Sequence, residues 1–245
     1  MDYNNSSYMP KIFLTFDDGP GPKTLEVAQM LHELGVPSTF FMVGKNMEKM
    51  PEVVKKVAEL GHAIGVHAYS HEQLGKLGPE QTMAEIKKAA DLIEKLTGKK
   101  PTLFRAAYGA LSANSLGVLK KLGLKHVDWS LDTLDWKRAL KGGRIDAGNI
   151  VRRAKNGDVV LFHDGAVKEH AGNDGVRGRN LMVALPSLVR DLRSKGFEFQ
   201  AIKKNIQWSH SLRHVARTQA KYGRARIEAL RKRARSAIRR IRRGA

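Results

Sequence analysis

The chain predicts an α/β fold, a parallel sheet covered by helices around one sizeable core, and three observations carry that reading. Short apolar runs rich in β-branched and aromatic residues alternate with longer segments whose apolar residues recur at helical spacing. The short runs lack the period-two pattern of half-exposed strands, as expected of a parallel sheet with both faces covered. The polar residues with chemical potential, Asp17-Asp18, His67/His71, Arg105, Asp132/Asp135 and His163, each fall just after a predicted strand. In a (β/α) barrel such strand ends converge on one face. In a doubly wound open sheet they spread along a crevice, and the pattern admits both. No internal repeat of about 20–50 residues is evident.

The first strand, Ile12-Phe13-Leu14, runs into Thr15-Phe16-Asp17-Asp18-Gly19-Pro20. At a strand-to-loop transition both carboxylates can reach one cavity, and their repulsion calls for a cation or a shared proton nearby. The same six residues also read as a plain turn, since Asp-Gly and Gly-Pro are turn formers. A helix is predicted over 24–34, with Thr24 as N-cap and Gly35 as the stop. A buried strand follows over 38–43, and Pro51 opens a helix closed by Gly61. Residues 63–66 form a short strand leading into His67 and His71, and an amphipathic helix runs from Pro79 to Leu96 before Gly98. Strand 102–104 precedes Arg105 and Tyr108-Gly109, helix 112–122 stops at Gly123, and strand 125–129 follows. Helix 147–154, the apolar strand 158–162 ending at His163, helix 181–195 and strand 197–202 complete the series. The Gly- and charge-rich stretch 164–180 reads as a loop over the active-site face.

With 245 residues, 42% of them hydrophobic and 7% aromatic, the chain can build one α/β domain. It contains no cysteine, which excludes a disulfide framework and a thiolate metal site. The first seven residues have no basic n-region and no apolar h-region, so as written they are not a secretory signal. No run approaches the roughly 18 apolar residues of a membrane span. The net charge of +20 is unevenly spread: residues 209–245 hold 13 basic side chains against Glu228 alone and so account for +12 of it. Ile227, Leu230, Ala234, Ile238 and Ile241 fall there at helical spacing. Such a segment is either a disordered solubilising tail or a basic amphipathic helix for anionic wall polymer, a membrane surface or nucleic acid. The divisions are therefore an N-terminal extension (1–10), a globular domain (11–206) and an Arg/Lys-rich tail (207–245).

His67 and His71 stand four apart, so on a helical turn they share a face and can grip one metal. With one carboxylate of the Asp pair they make an Asp-His-His set that leaves positions open for water and substrate. The spacing alone is weak evidence, since His210 and His214 repeat it in the tail. An N2O donor set admits Zn, Co, Ni or Mn, with Zn the first expectation.

With Arg105-Ala106-Ala107-Tyr108-Gly109, Asp132-Thr133-Leu134-Asp135-Trp136 and Leu161-Phe162-His163 added, the chain resembles the polysaccharide deacetylases of carbohydrate esterase family four. The resemblance runs from about residue 12 to 202 and includes all five family motifs in order. It implies a distorted (β/α)7 barrel that removes acetyl groups from polysaccharide, usually from N-acetylglucosamine units of chitin or peptidoglycan, with metal-activated water. By resemblance Asp17 is the general base, and Asp18, His67 and His71 hold the metal. Arg105 orients the base, and the backbone N–H of Tyr108 serves the oxyanion. Asp135 tunes His163, the general acid; Trp136 walls the pocket and Leu161 lines the acetyl slot. The family also implies a secreted or cell-surface protein, whereas the leaderless N-terminus leaves the cytoplasm open. Two positions depart from the pattern: Ala68 stands where a Ser or Thr helps shape the metal loop, and Ala106-Ala107 lacks the usual Pro after Arg. Other readings are an O-acetyl esterase of xylan-like polymer, a non-haem Fe(II) enzyme on the two-His-one-carboxylate set, and a non-catalytic binder acting through the tail. The Fe(II) reading leaves Asp17, Arg105 and His163 without roles.

Overall fold

The computed structural model describes residues 9–165 and 174–205. The basic run and its proposed amphipathic helix lie outside the described residues, as does the N-terminal extension up to residue 8. Strands and helices alternate as β1 (Lys11–Asp17), α1 (Thr24–Glu33), β2 (Thr39–Met42), α2 (Gly44–Lys49), α3 (Pro51–Glu59), β3 (Ala63–Val66) and α4 (Pro79–Thr97). They continue as β4 (Leu103–Phe104), α5 (Ala113–Leu122), β5 (Lys125–His126), β6 (Leu131–Asp132), α6 (Asp135–Ala139), α7 (Ala147–Arg153), β7 (Asp158–His163), α8 (Asp174–Ser194) and β8 (Glu198–Phe199).

The strands form one eight-stranded sheet in the order β5-β4-β3-β2-β1-β7-β6, and every pairing is parallel. That order is the sequence order of seven strands bent into a ring, with β7 returning to β1 and an opening between β5 and β6. The choice left by the sequence therefore falls to the distorted barrel rather than the doubly wound sheet. β8 shares an edge of β1 with β2: it pairs at Lys11 and Ile12, while β2 pairs from Thr15 to Asp17.

Alternation along β1 sorts its side chains. Ile12, Leu14 and Phe16 join the large core between sheet and helices, and Phe13 joins a second cluster with Phe41, Leu103, Val127, Val159 and Ile202. The register carries the alternation sideways: Phe16 pairs with Phe40 and Phe162, and their rings stack at 4.9 and 5.4 Å. Each such ring taken from water contributes about 1.5–3 kcal/mol. Trp129 is half-buried against the second cluster, which agrees with a packing role.

Several expectations need correction. Thr24 is the first helical residue of α1 and does not cap it; its hydroxyl accepts from the Gly21 N–H and donates to Asp164. α2 was not foreseen, since Gly44–Lys49 is too short and polar to show an apolar period. The expected strand 125–129 stops at His126, and β6 follows with no helix between. The expected loop 164–180 is helical from Asp174 onward. Gly178, which argued for a loop, is there because any side chain would collide with Lys23.

Candidate active site

The described site residues gather at the C-terminal ends of β1, β3, β4, β6 and β7. Asp17 closes β1, and Asp18 turns out of it in the left-handed conformation (φ 74°). That turn brings both carboxylates to one partner: Asp17 Oδ2 and Asp18 Oδ1 lie 3.7 and 3.5 Å from His67 Nε2. His71 Nε2 is 3.1 Å from the same Asp18 oxygen. All four side chains are buried.

His67 and His71 do not sit on a helical turn, contrary to the reading from their spacing. Residues 67–71 form a loop in which Ala68 (φ 61°) and His71 (φ 62°) are both left-handed. The positive φ at His71 replaces the helical turn as the device that returns its ring toward His67, ring centres 5.0 Å apart.

A divalent ion fits this trio. The ligand atoms of Asp18, His67 and His71 all lie within 4.8 Å of one another. Donors around a tetrahedral ion with bonds of about 2.1 Å stand about 3.4 Å apart, close to the observed separations. His67 Nδ1 is 2.8 Å from the Arg105 carbonyl, which only an N–H can satisfy, so Nε2 is the ring nitrogen that faces Asp18 and that an ion would take. Burial opposes charge on His67, yet Asp17 and Asp18 raise its pKa above the ordinary imidazole value. Burial likewise opposes the Asp18 carboxylate, but hydrogen bonds from His67 and His71 and the charges of His163 and His71 hold it well below the usual carboxylate range. Both directions call for positive charge among these groups, as the Asp pair alone suggested.

Arg105 is completely buried and unites three strands. Its Nη1 donates to Asp17 Oδ1 at 2.7 Å and to Thr15 Oγ1 at 2.8 Å, while Nε and Nη2 donate to the Val127 and Asp128 carbonyls. Its guanidinium lies 4.2 Å from the Phe41 ring centre, a cation–π contact in a dry interior. Removing it would strand a buried carboxylate, which costs about 3–5 kcal/mol.

His163, the last residue of β7, is the Cα register partner of Asp17. Asp135, at the start of α6, holds it twice: Oδ1 is 2.8 Å from the ring Nδ1, and Oδ2 accepts from the His163 backbone N–H at 2.8 Å. Burial disfavours the imidazolium, but the charge and hydrogen bond of Asp135, with Asp18 and Asp17 behind it, push His163 up to about 9. The Trp136 N–H donates to Asp135, and its side chain is half-buried. Asp132 acts as a turn residue, accepting from the Leu134 N–H at 2.8 Å. Leu161, buried on β7 two residues before His163, is the register partner of Thr15. Tyr108 lies in the turn Ala107–Gly109 with φ 58°; it is half-exposed, and its ring meets His71 edge-on at 4.9 Å.

Two residues of this region escaped the sequence reading. Arg177, on α8 and buried, donates from Nη1 to Asp18 Oδ2 at 3.4 Å and to the Gly165 carbonyl at 3.0 Å. The sign of it in the sequence is its place one turn before Leu181 and two before Leu185, on the stripe that α8 buries. Asp164 is buried after His163; burial raises its carboxyl to about 7, against the hydrogen bond from Thr24.

The family model for polysaccharide deacetylases matches residues 5–127. A chitooligosaccharide deacetylase of Azorhizobium caulinodans is 34% identical over 195 residues, which span 78% of this chain and 92% of the relative. A peptidoglycan-N-acetylglucosamine deacetylase of Bacillus cereus is 32% identical over 202 residues, 81% of this chain and 69% of that protein. The solved structure of a family 4 carbohydrate esterase from Streptomyces lividans, in complex with acetate, superposes with a TM-score of 0.69 at 29% identity, covering 80% of this chain and 94% of the other. The chain belongs to the polysaccharide deacetylase family.

Proposed function

We propose that the chain is a metal-dependent N-deacetylase of polysaccharides built from N-acetylglucosamine, with chitin-like and peptidoglycan-like polymers as its substrate class. The observation that carries this is the pairing of Asp17 with His163 across the β1–β7 register, beside the Asp18-His67-His71 trio. Amide hydrolysis needs a base and an acid on the two sides of one carbon, and each well-placed group contributes about 10²–10⁴-fold in rate. The deacetylase names of the relatives support the substrate class.

Asp18, His67 and His71 would hold the ion, with Zn first and Co, Ni or Mn compatible with the same donors. When bound, it would polarise the acetyl carbonyl and make nearby water a stronger acid. Asp17, fixed by Arg105, takes a proton from the attacking water. The water oxygen bonds to the acetyl carbon, and negative charge on the carbonyl oxygen meets the backbone N–H of Tyr108. The C–N bond then breaks as His163, kept protonated by Asp135, gives its proton to the departing nitrogen. Acetate and a free amine result. Leu161 lines the acetyl slot, and Trp136 walls the sugar side.

This catalytic unit spans residues 11–206, between the extension 1–10 and the tail 207–245. The tail's charge supports a docking role on anionic wall polymer, membrane surface or nucleic acid, apart from catalysis.

Acetate release from N-acetylglucosamine oligomers tests the reaction. Release should stop with EDTA, return with one added divalent metal, and vanish in Asp17→Asn. Acetate from acetylated xylan alone would mean an O-esterase, and none from either substrate would overturn the hydrolase.

A further inference from the structure

We infer that Glu85 is a positioning residue for the metal centre: it braces the loop between His67 and His71 in the strained form that lets both imidazoles reach one ion. This rests on the metal-centre reading above and concerns a residue of α4 that lies outside the ligand set.

The loop requires bracing. Between and including its histidines it holds two non-glycine residues at positive φ, Ala68 (61°) and His71 (62°). Such a conformation is disfavoured for an L-residue by about 1–2 kcal/mol. At Ala68 no side-chain oxygen is available to bond the loop's own backbone.

Glu85 reaches into the loop from the helix beside it. Its Oε2 accepts from the Ser70 N–H at 2.8 Å and the Tyr69 N–H at 3.2 Å, and its Oε1 accepts from the Ser70 hydroxyl at 2.8 Å. One carboxylate thus takes three donors, two backbone amides and a hydroxyl, from Tyr69 and Ser70 between the two histidines. The opposite side of the loop is bonded by α2, whose Gly44 and Lys45 N–H groups donate to the Ala68 and Tyr69 carbonyls at 3.0 and 2.8 Å. The Tyr69 ring is pinned as well, by Glu48 on its hydroxyl at 2.7 Å and by Lys88 over its face. Of these braces, Glu85 alone holds successive backbone N–H groups, and those amides set the path from His67 to His71. Outer partners of metal ligands typically govern affinity by about 10–100-fold.

The test is Co²⁺ binding to the purified full chain, followed by the ion's visible absorption and by competition with a chelator. Glu85→Ala and Glu85→Asp, which remove or withdraw the acceptor, should weaken Co²⁺ binding by about 10–100-fold. Their metal-free circular dichroism should match that of the parent, and kcat at saturating metal should stay within a few-fold. Glu85→Gln keeps one acceptor oxygen for the amides and an NH₂ that the Ser70 hydroxyl can accept, so it should recover most of the affinity. A folded Glu85→Ala or Glu85→Asp protein that binds Co²⁺ within about twofold of the parent overturns the bracing role. A parent chain that takes up no Co²⁺ sinks the metal-centre reading, and the proposal with it.

Discussion

At the level of single side chains, the site is a set of charges set against opposite partners: Asp17 against Arg105, Asp18 against His71, His67 and Arg177, and His163 against Asp135. The last pair controls a pH limit. His163 stands at about 9 because Asp135, with Asp18 and Asp17, outweighs the cost of burying its charge. If His163 is the general acid proposed above, it must be protonated to act, so kcat should hold until pH approaches about 9 and fall above it. The link to stability has the same sign: a raised histidine pKa stabilises the fold fully below about 6.5, and that contribution is lost as pH rises through about 9. Asp135→Asn should move the alkaline limb of the kcat profile to lower pH, and coincident limbs would show that Asp135 does not tune His163. The identities of these residues could be read from the sequence, because an Asp pair, a His pair, an Arg and a His each close an apolar run. Their conformations could not. Positive φ at Ala68, Tyr108 and Leu134 falls on residue types that give no sign of it, while Asp18 and His71 are of types that adopt it more readily but seldom enough that the sequence does not mark the position. Arg177 was hidden by flanking glycines that read as loop.

Among strands and helices, β1 and its neighbours carry both core and chemistry. Residues 12, 14 and 16 pack on the helices, while Thr15 and Asp17 face Arg105. Phe16→Ala should therefore remove a ring stacked between Phe40 and Phe162 and destabilise the protein by about 3–5 kcal/mol. Urea unfolding monitored by circular dichroism measures that, and a change under about 1 kcal/mol would mean the three rings do not pack as a layer. Long runs such as β1 and β7 and capped helices such as α4 were readable because their patterns exceed one period. β4 and β5 fall within the expected runs 102–104 and 125–129, whereas β6, with two residues, is set by pairing with β7 and carries no periodic signal of its own.

For the molecule as a whole, a barrel was one of two arrangements that the alternation allowed. The β7–β1 pairing that bends the series back on itself is a long-range contact between residues about 145 apart, beyond what local patterns specify. The charge distribution makes its own prediction. If the basic run docks the enzyme on anionic polymer, deleting residues 209–245 should abolish adsorption in low salt and leave turnover on short soluble oligomers unchanged. Adsorption that survives the deletion would move the docking role to the body of the protein, which keeps +8 of the net charge. Salt should weaken adsorption of the intact chain, because screening at physiological ionic strength shortens electrostatic reach to about 8 Å.

If Asp17 and His163 are the base and acid proposed above, their opposition across a parallel ladder ties catalysis to the spelling of the sheet. Their backbone separation is inherited from the pitch between two hydrogen-bonded strands. Because side chains alternate, sliding β7 by one residue would do more than move the histidine a few ångströms. It would turn the ring out among the helices and bring Phe162 to face the substrate. Between the two registers there is no intermediate position, so turnover per folded molecule should be all or none with respect to this pairing. The reaction itself then serves as a proofreader's mark for a correctly registered sheet.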